Sequence, residues 1–348
     1  MATIKGTIDS QRARRQFLAA RQTMAAVSAD NAHQVRRVYL KAARQAGAVL
    51  QANLDRNATS LTTDRWQLIQ SLLREEANRL GVQIDELNRG AVRRVSRNFI
   101  RNATQQMQQS GLVGVRSINN RSLQGIGIAV NNRVIHNMAS RMVGGMNYST
   151  RIWKLGADWI NDVRGVTASG IAAGRDPRKI ARDLSTYTRH GKMRYLRDSG
   201  VVEARSWGPH MRAGKIPKNI DYRALRLVRS ELYASIQDAQ LQAGRANPAN
   251  NGLYNWINNP ARLDWDCPCE EYEKGSPYEY DKVPAYPHPN CMCAIEPLMR
   301  DEDEFFEDLL RWDRGESVDY LDDWYNTFYL PNEGGASPPG AAAVARAR

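Results

Sequence analysis

Four cysteines fall within 27 residues of a 348-residue chain that has no others. They stand as Cys267-Pro-Cys269, then 21 residues, then Cys291-Met-Cys293, with His288 three positions before Cys291. Two ligand pairs joined by a loop of about twenty residues is the layout of a zinc ribbon or knuckle. Thiolates are soft ligands, and tetrahedral sets of four sulfurs, or of three sulfurs and an imidazole, suit Zn²⁺. Five candidates, Cys267, Cys269, His288, Cys291 and Cys293, compete for four positions. Two other states of the thiols stay open: disulfides between the two arms, and free thiols. Disulfides need an oxidising compartment, and a bridge within Cys-x-Cys is badly strained. Metal ligation is the favoured reading, and a structural metal follows from the setting. The segment is rich in Tyr, Pro and Asp, so it has little apolar material for a core, and a metal supplies the missing cohesion.

The 250 residues before this cluster read as helices. Val35, Val38, Tyr39, Ala42, Ala46 and Leu50 recur at helical spacing, as do Ile69, Leu72, Leu73, Ala77 and Leu80. Residues 10–56 divide into two stretches at Ser28, Asp30 and Asn31, and a further helix over 84–109 opens with Asp85 and Glu86, as the helix dipole prefers. The Gly-, Ser- and Asn-rich run at 111–132 suggests a boundary or hinge. Beyond it, Ile152, Leu155, Trp159, Val163 and Val166 line one face of a strong helix, and a long helix follows Asp221. Residues 187–220 are basic and irregular, and read as a loop or insertion. After Pro248 the helical period stops, and GLYNWI and CAIEPL read as short strands.

The expected fold class is therefore mainly α, with a small α+β zinc-ribbon-like module and acidic helices after it. We divide the chain into a basic helical region over 1–115, a second helical region over 116–250, the Cys/His metal-binding module over 251–300, acidic helices over 301–330 and a disordered tail over 331–348.

Charge follows the same division. Residues 1–250 hold 41 Lys and Arg against 17 Asp and Glu, while residues 301–348 hold 4 against 12. A basic body with an acidic end suggests contact with a polyanion or an acidic protein. Arg89, Arg93, Arg97 and Arg101 recur every four residues with Arg94 beside them, which makes one cationic stripe on a helix. Such a stripe either tracks phosphates or is a solvated face. No run of 18 apolar residues offers a membrane span, and the first residues lack the apolar stretch of a secretory signal. There is no Walker A, GxSxG, HExxH or dinucleotide fingerprint, so no enzymatic activity is expected.

Several of these pieces occur in a familiar order. LVRSELYASIQDAQLQAG precedes YNWINNP, then DWDCPCEEYEKGSPY, then PAYPHPNCMCAIEPL. This order resembles the C-terminal domain of the phage Mu F-like minor head proteins, also called head morphogenesis proteins. Arg229, Ser230 and Glu231 match the family's Arg-Thr-Glu-like triplet, Gly275 its loop glycine, and His288, Pro289, Asn290, Cys291 and Cys293 its His-Pro-Asn-Cys-x-Cys motif. IAAGRDPRKIARDL resembles the helix pair that precedes them. The likeness covers roughly residues 150–297, so 116–250 becomes the helical part of a Mu F-like domain. It departs at Cys267-Pro-Cys269, where the family has Cys-x-x-Cys, and at Met292, where Arg is usual. The resemblance implies a non-enzymatic virion protein at the portal vertex, present in the host cytoplasm during assembly. Its implied partners are the portal protein, the major capsid or scaffolding protein, and packaged DNA bound without sequence preference. Two other readings compete: a metal- or cysteine-dependent nuclease or protease of phage assembly, and a zinc-ribbon DNA-binding protein.

Overall fold

Apolar residues at three- and four-residue spacing do form helices here, and the helices outrun the local breaks in the pattern. The computed structural model describes residues 10–53, 63–172, 222–258, 268–288 and 291–335, together with residues 179, 180 and 184. Cys267, Pro289, Asn290, the 187–220 segment and the tail from 336 lie outside the described residues, as does most of the helix expected after Asp176. Helix α1 spans Ser10–Asn53 and α2 spans Thr63–Gln109. At 1.5 Å per residue they are about 66 and 70 Å long.

The expected divisions of these two helices are absent, and the polar residues that suggested them have another use. Ser28 and Asn31 are buried. Asn31 Nδ2 donates to Asn88 Oδ1 at 3.3 Å, and Asn88 Nδ2 donates to the Tyr148 hydroxyl at 3.1 Å. These groups tie three helices together instead of capping one, and leaving any of them unpaired would cost about 1–3 kcal/mol. Gly81, at the second expected break, is a contact position. A Cβ there would stand 3.2 Å from the Trp153 ring.

Helices α3 (Asn120–Ser140), α4 (Tyr148–Ala172) and α5 (Tyr222–Arg245) pack on this pair. Asn119 caps α3 by accepting from the Ser122 backbone N–H at 2.9 Å, and Asn147 does the same for Thr150 at 2.8 Å. The expected faces are the buried ones: Val35, Tyr39, Ala42, Ala46 and Leu50 on α1, Ile69, Leu73, Ala77 and Leu80 on α2, and Ile152, Leu155, Trp159, Val163 and Val166 on α4. They form one core with Val228, Leu232 and Ile236 of α5.

Both expected strands are present. β1 (Asn250–Ile257) is flanked by β2 (Tyr278–Glu279) and β3 (Ala294–Met299), all antiparallel, in the order β2-β1-β3. Tyr254 faces Pro297 and Trp256 faces Ile295 across the β1–β3 pair. A short helix, α6 (Cys269–Lys274), precedes β2. On the outer edge of β3, the Ile295 N–H is taken by Gln240 Oε1 at 2.9 Å, and Pro297 has no N–H. Helix α5 lies against the sheet at Gly244, where a Cβ would come within 2.7 Å of the Tyr254 ring and 2.9 Å of Pro297.

The acidic helices α7 (Glu302–Asp313) and α8 (Asp319–Trp324) are amphipathic and belong to the body. Phe305, Leu309, Trp312, Leu321 and Trp324 pack with Ile100, Leu112, Val115, Ile118 and Ile126 in a second core. Trp324 Nε1 donates to the Ala246 carbonyl at 2.8 Å. The Arg116 guanidinium stacks 4.2 Å over the Trp312 ring, donates to the Trp312 carbonyl at 2.9 Å and lies 3.5 Å from the Asp322 carboxylate. The start of the expected hinge is thus a clamped turn with Val115 buried. Residues Leu330–Gly335, which take in the first five positions of the expected tail, form a 3₁₀ segment with Asn332 buried. No described helix is long and apolar enough to cross a membrane.

Candidate functional site

The cysteine module is built on a small sheet whose inner face carries aromatic side chains. Tyr254, Trp256 and Ile295 pack with Cys269, Cys291 and Cys293, and the Tyr272 ring meets Trp256 edge-on at 5.1 Å. Cys269 opens α6, while Cys291 and Cys293 lie on the segment entering β3. The chain between them returns these thiols to one point. All three are buried, and their sulfurs lie within 4.8 Å of one another, a metal-binding distance. Cys269 and Cys291 sulfurs are 3.7 Å apart, and His288 Nε2 is 3.5 Å from Cys269 Sγ. None of the three cysteines is in a disulfide. Of the five predicted ligands, the structure therefore brings three together with His288 at one edge, and Cys267 lies outside the described residues.

The backbone around the thiols is held from several sides. The Tyr286 hydroxyl donates to the Cys291 carbonyl at 3.0 Å, and Gln237 Nε2 of α5 donates to the Cys293 carbonyl at 3.1 Å. The Cys291 N–H donates to the His288 carbonyl at 3.1 Å. Burial pushes the Tyr286 hydroxyl well above the usual tyrosine range, so it remains a neutral donor. The Cys291 thiol is also pushed up. Its hydrogen bond with Cys269 favours the thiolate, but hydrogen bonding with Cys293, burial and the Cys293 charge outweigh it. Three thiols in one dry pocket cannot all ionise unaided, and a bound cation reverses that balance.

The Arg229-Ser230-Glu231 triplet lies on α5. Glu231 is the buried member, and its partners come from far along the chain. Arg151 of α4 donates to one carboxylate oxygen, and Arg141, just past α3, approaches the other at 3.2 Å. The Glu231 side chain points into the bundle and is only 3% exposed. Sequence reasoning missed Arg141, Arg151 and Gln237, since no local pattern marks a residue whose partner is 50 or more positions away, and it missed Tyr286, whose hydroxyl meets a backbone carbonyl that no residue type announces.

Comparison with protein-family models, with curated proteins and with solved structures finds no match to this chain. Its chemistry is therefore read from its own residues.

The arginine stripe lies on the last half of α2 and divides into two sets. Arg89 is half-buried, paired with Asp85 at 2.7 Å and placed 5.5 Å over the Tyr148 ring. Arg94 reaches Asp30 of α1 at 3.8 Å. Arg93, Arg97 and Arg101 are exposed and touch no carboxylate among the described residues; Arg101 meets the Asn98 side chain at 3.3 Å.

Proposed function

We propose that this chain is a minor head protein of a phage virion, placed near the portal vertex and assisting head assembly and DNA packaging or ejection without enzymatic activity. The observation that carries the reading is the closure of the His-Pro-Asn-Cys-x-Cys motif onto Cys269, on a sheet seated against the helix that bears Arg229, Ser230 and Glu231. Those are the pieces on which the resemblance to the Mu F-like proteins rests.

Zinc is the proposed metal. A tetrahedral zinc, with sulfur at about 2.3 Å and nitrogen at about 2.0 Å, requires edges of about 3.8 Å between sulfurs and about 3.5 Å from sulfur to nitrogen. The spacings of Cys269 from Cys291 and from His288, 3.7 and 3.5 Å, are close to both edges. Cys269, Cys291 and Cys293 would hold the ion with His288 or Cys267 as the fourth ligand. A filled set of four protein ligands makes such a site structural, locking α6 to β3.

Packaged DNA is the proposed polyanion. From Leu87 to Ala157 the sequence has ten arginines and one lysine and no acidic residue. Ion pairs engage Arg89, Arg94, Arg116, Arg141 and Arg151 of that series, and among the exposed remainder Arg93, Arg97 and Arg101 form the ridge proposed to meet phosphates. The test is the salt dependence of binding to a random-sequence duplex. Each phosphate contact contributes a slope of about 0.9 in log K against log salt, so replacing all three arginines by glutamine flattens the slope by about 2.7. An unchanged slope, or strong preference for one duplex sequence, would sink the DNA assignment.

A further inference from the structure

Strand register brings to the thiols a polar side chain that the cysteine spacing does not announce. β1 and β3 pair Ile257 with Ala294, so Asn258 and Cys293 stand opposite each other where the ladder ends. Cross-strand neighbours project to one face, here the face of Trp256, Ile295 and the thiols. The Cys293 thiol donates to Asn258 Oδ1 at 3.4 Å. The backbone of Asn258 is held from two helices. Its carbonyl accepts from Arg21 Nη2 of α1 at 3.2 Å, and its N–H donates to Glu273 Oε1 of α6 at 3.2 Å. Contacts from three distant parts of the chain thus fix where this asparagine stands, and its terminal amide is the part left to turn.

A cysteine that takes a metal gives up its thiol proton. Its sulfur can then only accept hydrogen bonds, and a carbonyl oxygen beside it becomes a repulsive contact. Buried thiolates are favoured by N–H donors that share their charge, and such donors also orient metal ligands. Cys291 has one at hand, because the Cys293 backbone N–H donates to its sulfur. The Asn258 carboxamide suits Cys293, since it carries an acceptor oxygen and a donor nitrogen at equivalent positions. A half-turn about Cβ–Cγ exchanges the two and leaves the backbone in place. Aspartate has the same shape without the donor, and leucine has the shape with no polar atom.

We propose that Asn258 is a positioning residue of the metal centre, its side-chain amide donating an N–H to the Cys293 sulfur when that sulfur holds the metal. The inference rests on the metal reading above and adds to it a residue outside the ligand set. Through this hydrogen bond Asn258 orients Cys293 and disperses its charge, so it governs how tightly the third thiolate binds. Arg21 carries the support one step further, to α1.

The test uses the full-length protein, with zinc affinity read by competition against a chelating indicator. Asn258→Leu should lower that affinity about tenfold, and Asn258→Asp, which also sets a carboxylate against the thiolate, by about 10- to 100-fold. Helical circular dichroism should stay unchanged in both. A second measurement needs no variant. In isotope-labelled wild-type protein loaded with a spin-active cadmium isotope, a scalar coupling should link the metal to one Asn258 side-chain amide proton through the Cys293 sulfur. The Cys293 backbone N–H, which reaches the metal through Cys291, serves as the internal standard. Wild-type protein that takes up neither zinc nor cadmium overturns the metal reading and this inference with it. If the wild type binds, a coupling at the Cys293 N–H but none at Asn258 overturns this inference alone. So does a folded Asn258→Leu protein with wild-type zinc affinity.

Discussion

Cys291 sits 3.7 Å from Cys269 and shares one dry pocket with Cys293, so its sulfur is the centre of the module. Cys291→Ser should lower bound zinc from about one equivalent per chain to near zero and release residues 250–299 to protease, with helical circular dichroism nearly unchanged. Elemental mass spectrometry and limited proteolysis read the two effects, and an undiminished metal content would refute the assignment. The thiols and His288 were legible in the sequence because ligand chemistry is rare and their spacing is short. Glu231 was legible only as a residue of interest. Its true partners, Arg141 and Arg151, stand 90 and 80 positions away, and nothing in a helical period encodes which distant guanidinium a carboxylate meets.

Among the elements, the helix faces were readable and the helix lengths were not. Ser28, Asp30 and Asn31 look like a stop because such residues compete for the backbone locally. In α1 the Asn31 side chain is engaged by Asn88 of a neighbouring helix, and the helix continues through it. The acidic helices teach the complementary lesson. Their charge draws attention to solvent, yet α7 buries Phe305, Leu309 and Trp312, and α8 with the turn after it buries Leu321, Trp324 and Tyr329. Trp324→Ala should destabilise the protein by about 3–5 kcal/mol, since it opens a cavity and leaves the Ala246 carbonyl without its donor. Urea denaturation measures this, and a loss under 1 kcal/mol would mean that the acidic helices are loosely attached.

For the molecule as a whole, burial sets an unusual response to acid. Glu76, Asp238 and Glu296 are all raised above the usual carboxylate range, in each case chiefly because burial disfavours the charged form. In the unfolded chain these groups lose their protons near pH 4. Just above that pH the native state still holds protons that the unfolded state has released, so stability from these groups falls as pH rises through their folded values. The combined variant Glu76→Gln, Asp238→Asn, Glu296→Gln should show a smaller decline, or none, when urea midpoints are compared from pH 4 to pH 6. An identical profile in the two proteins would show that these carboxylates titrate alike folded and unfolded.

The small sheet has a further consequence for self-association. Open strand edges are templates on which copies of a protein stack into fibres. One edge here, β2, is two residues long, and the other presents Pro297 and an Ile295 N–H already occupied by Gln240. Neither edge offers a ladder for a second copy to extend. The module that gathers the thiols is therefore also insulated against runaway self-association.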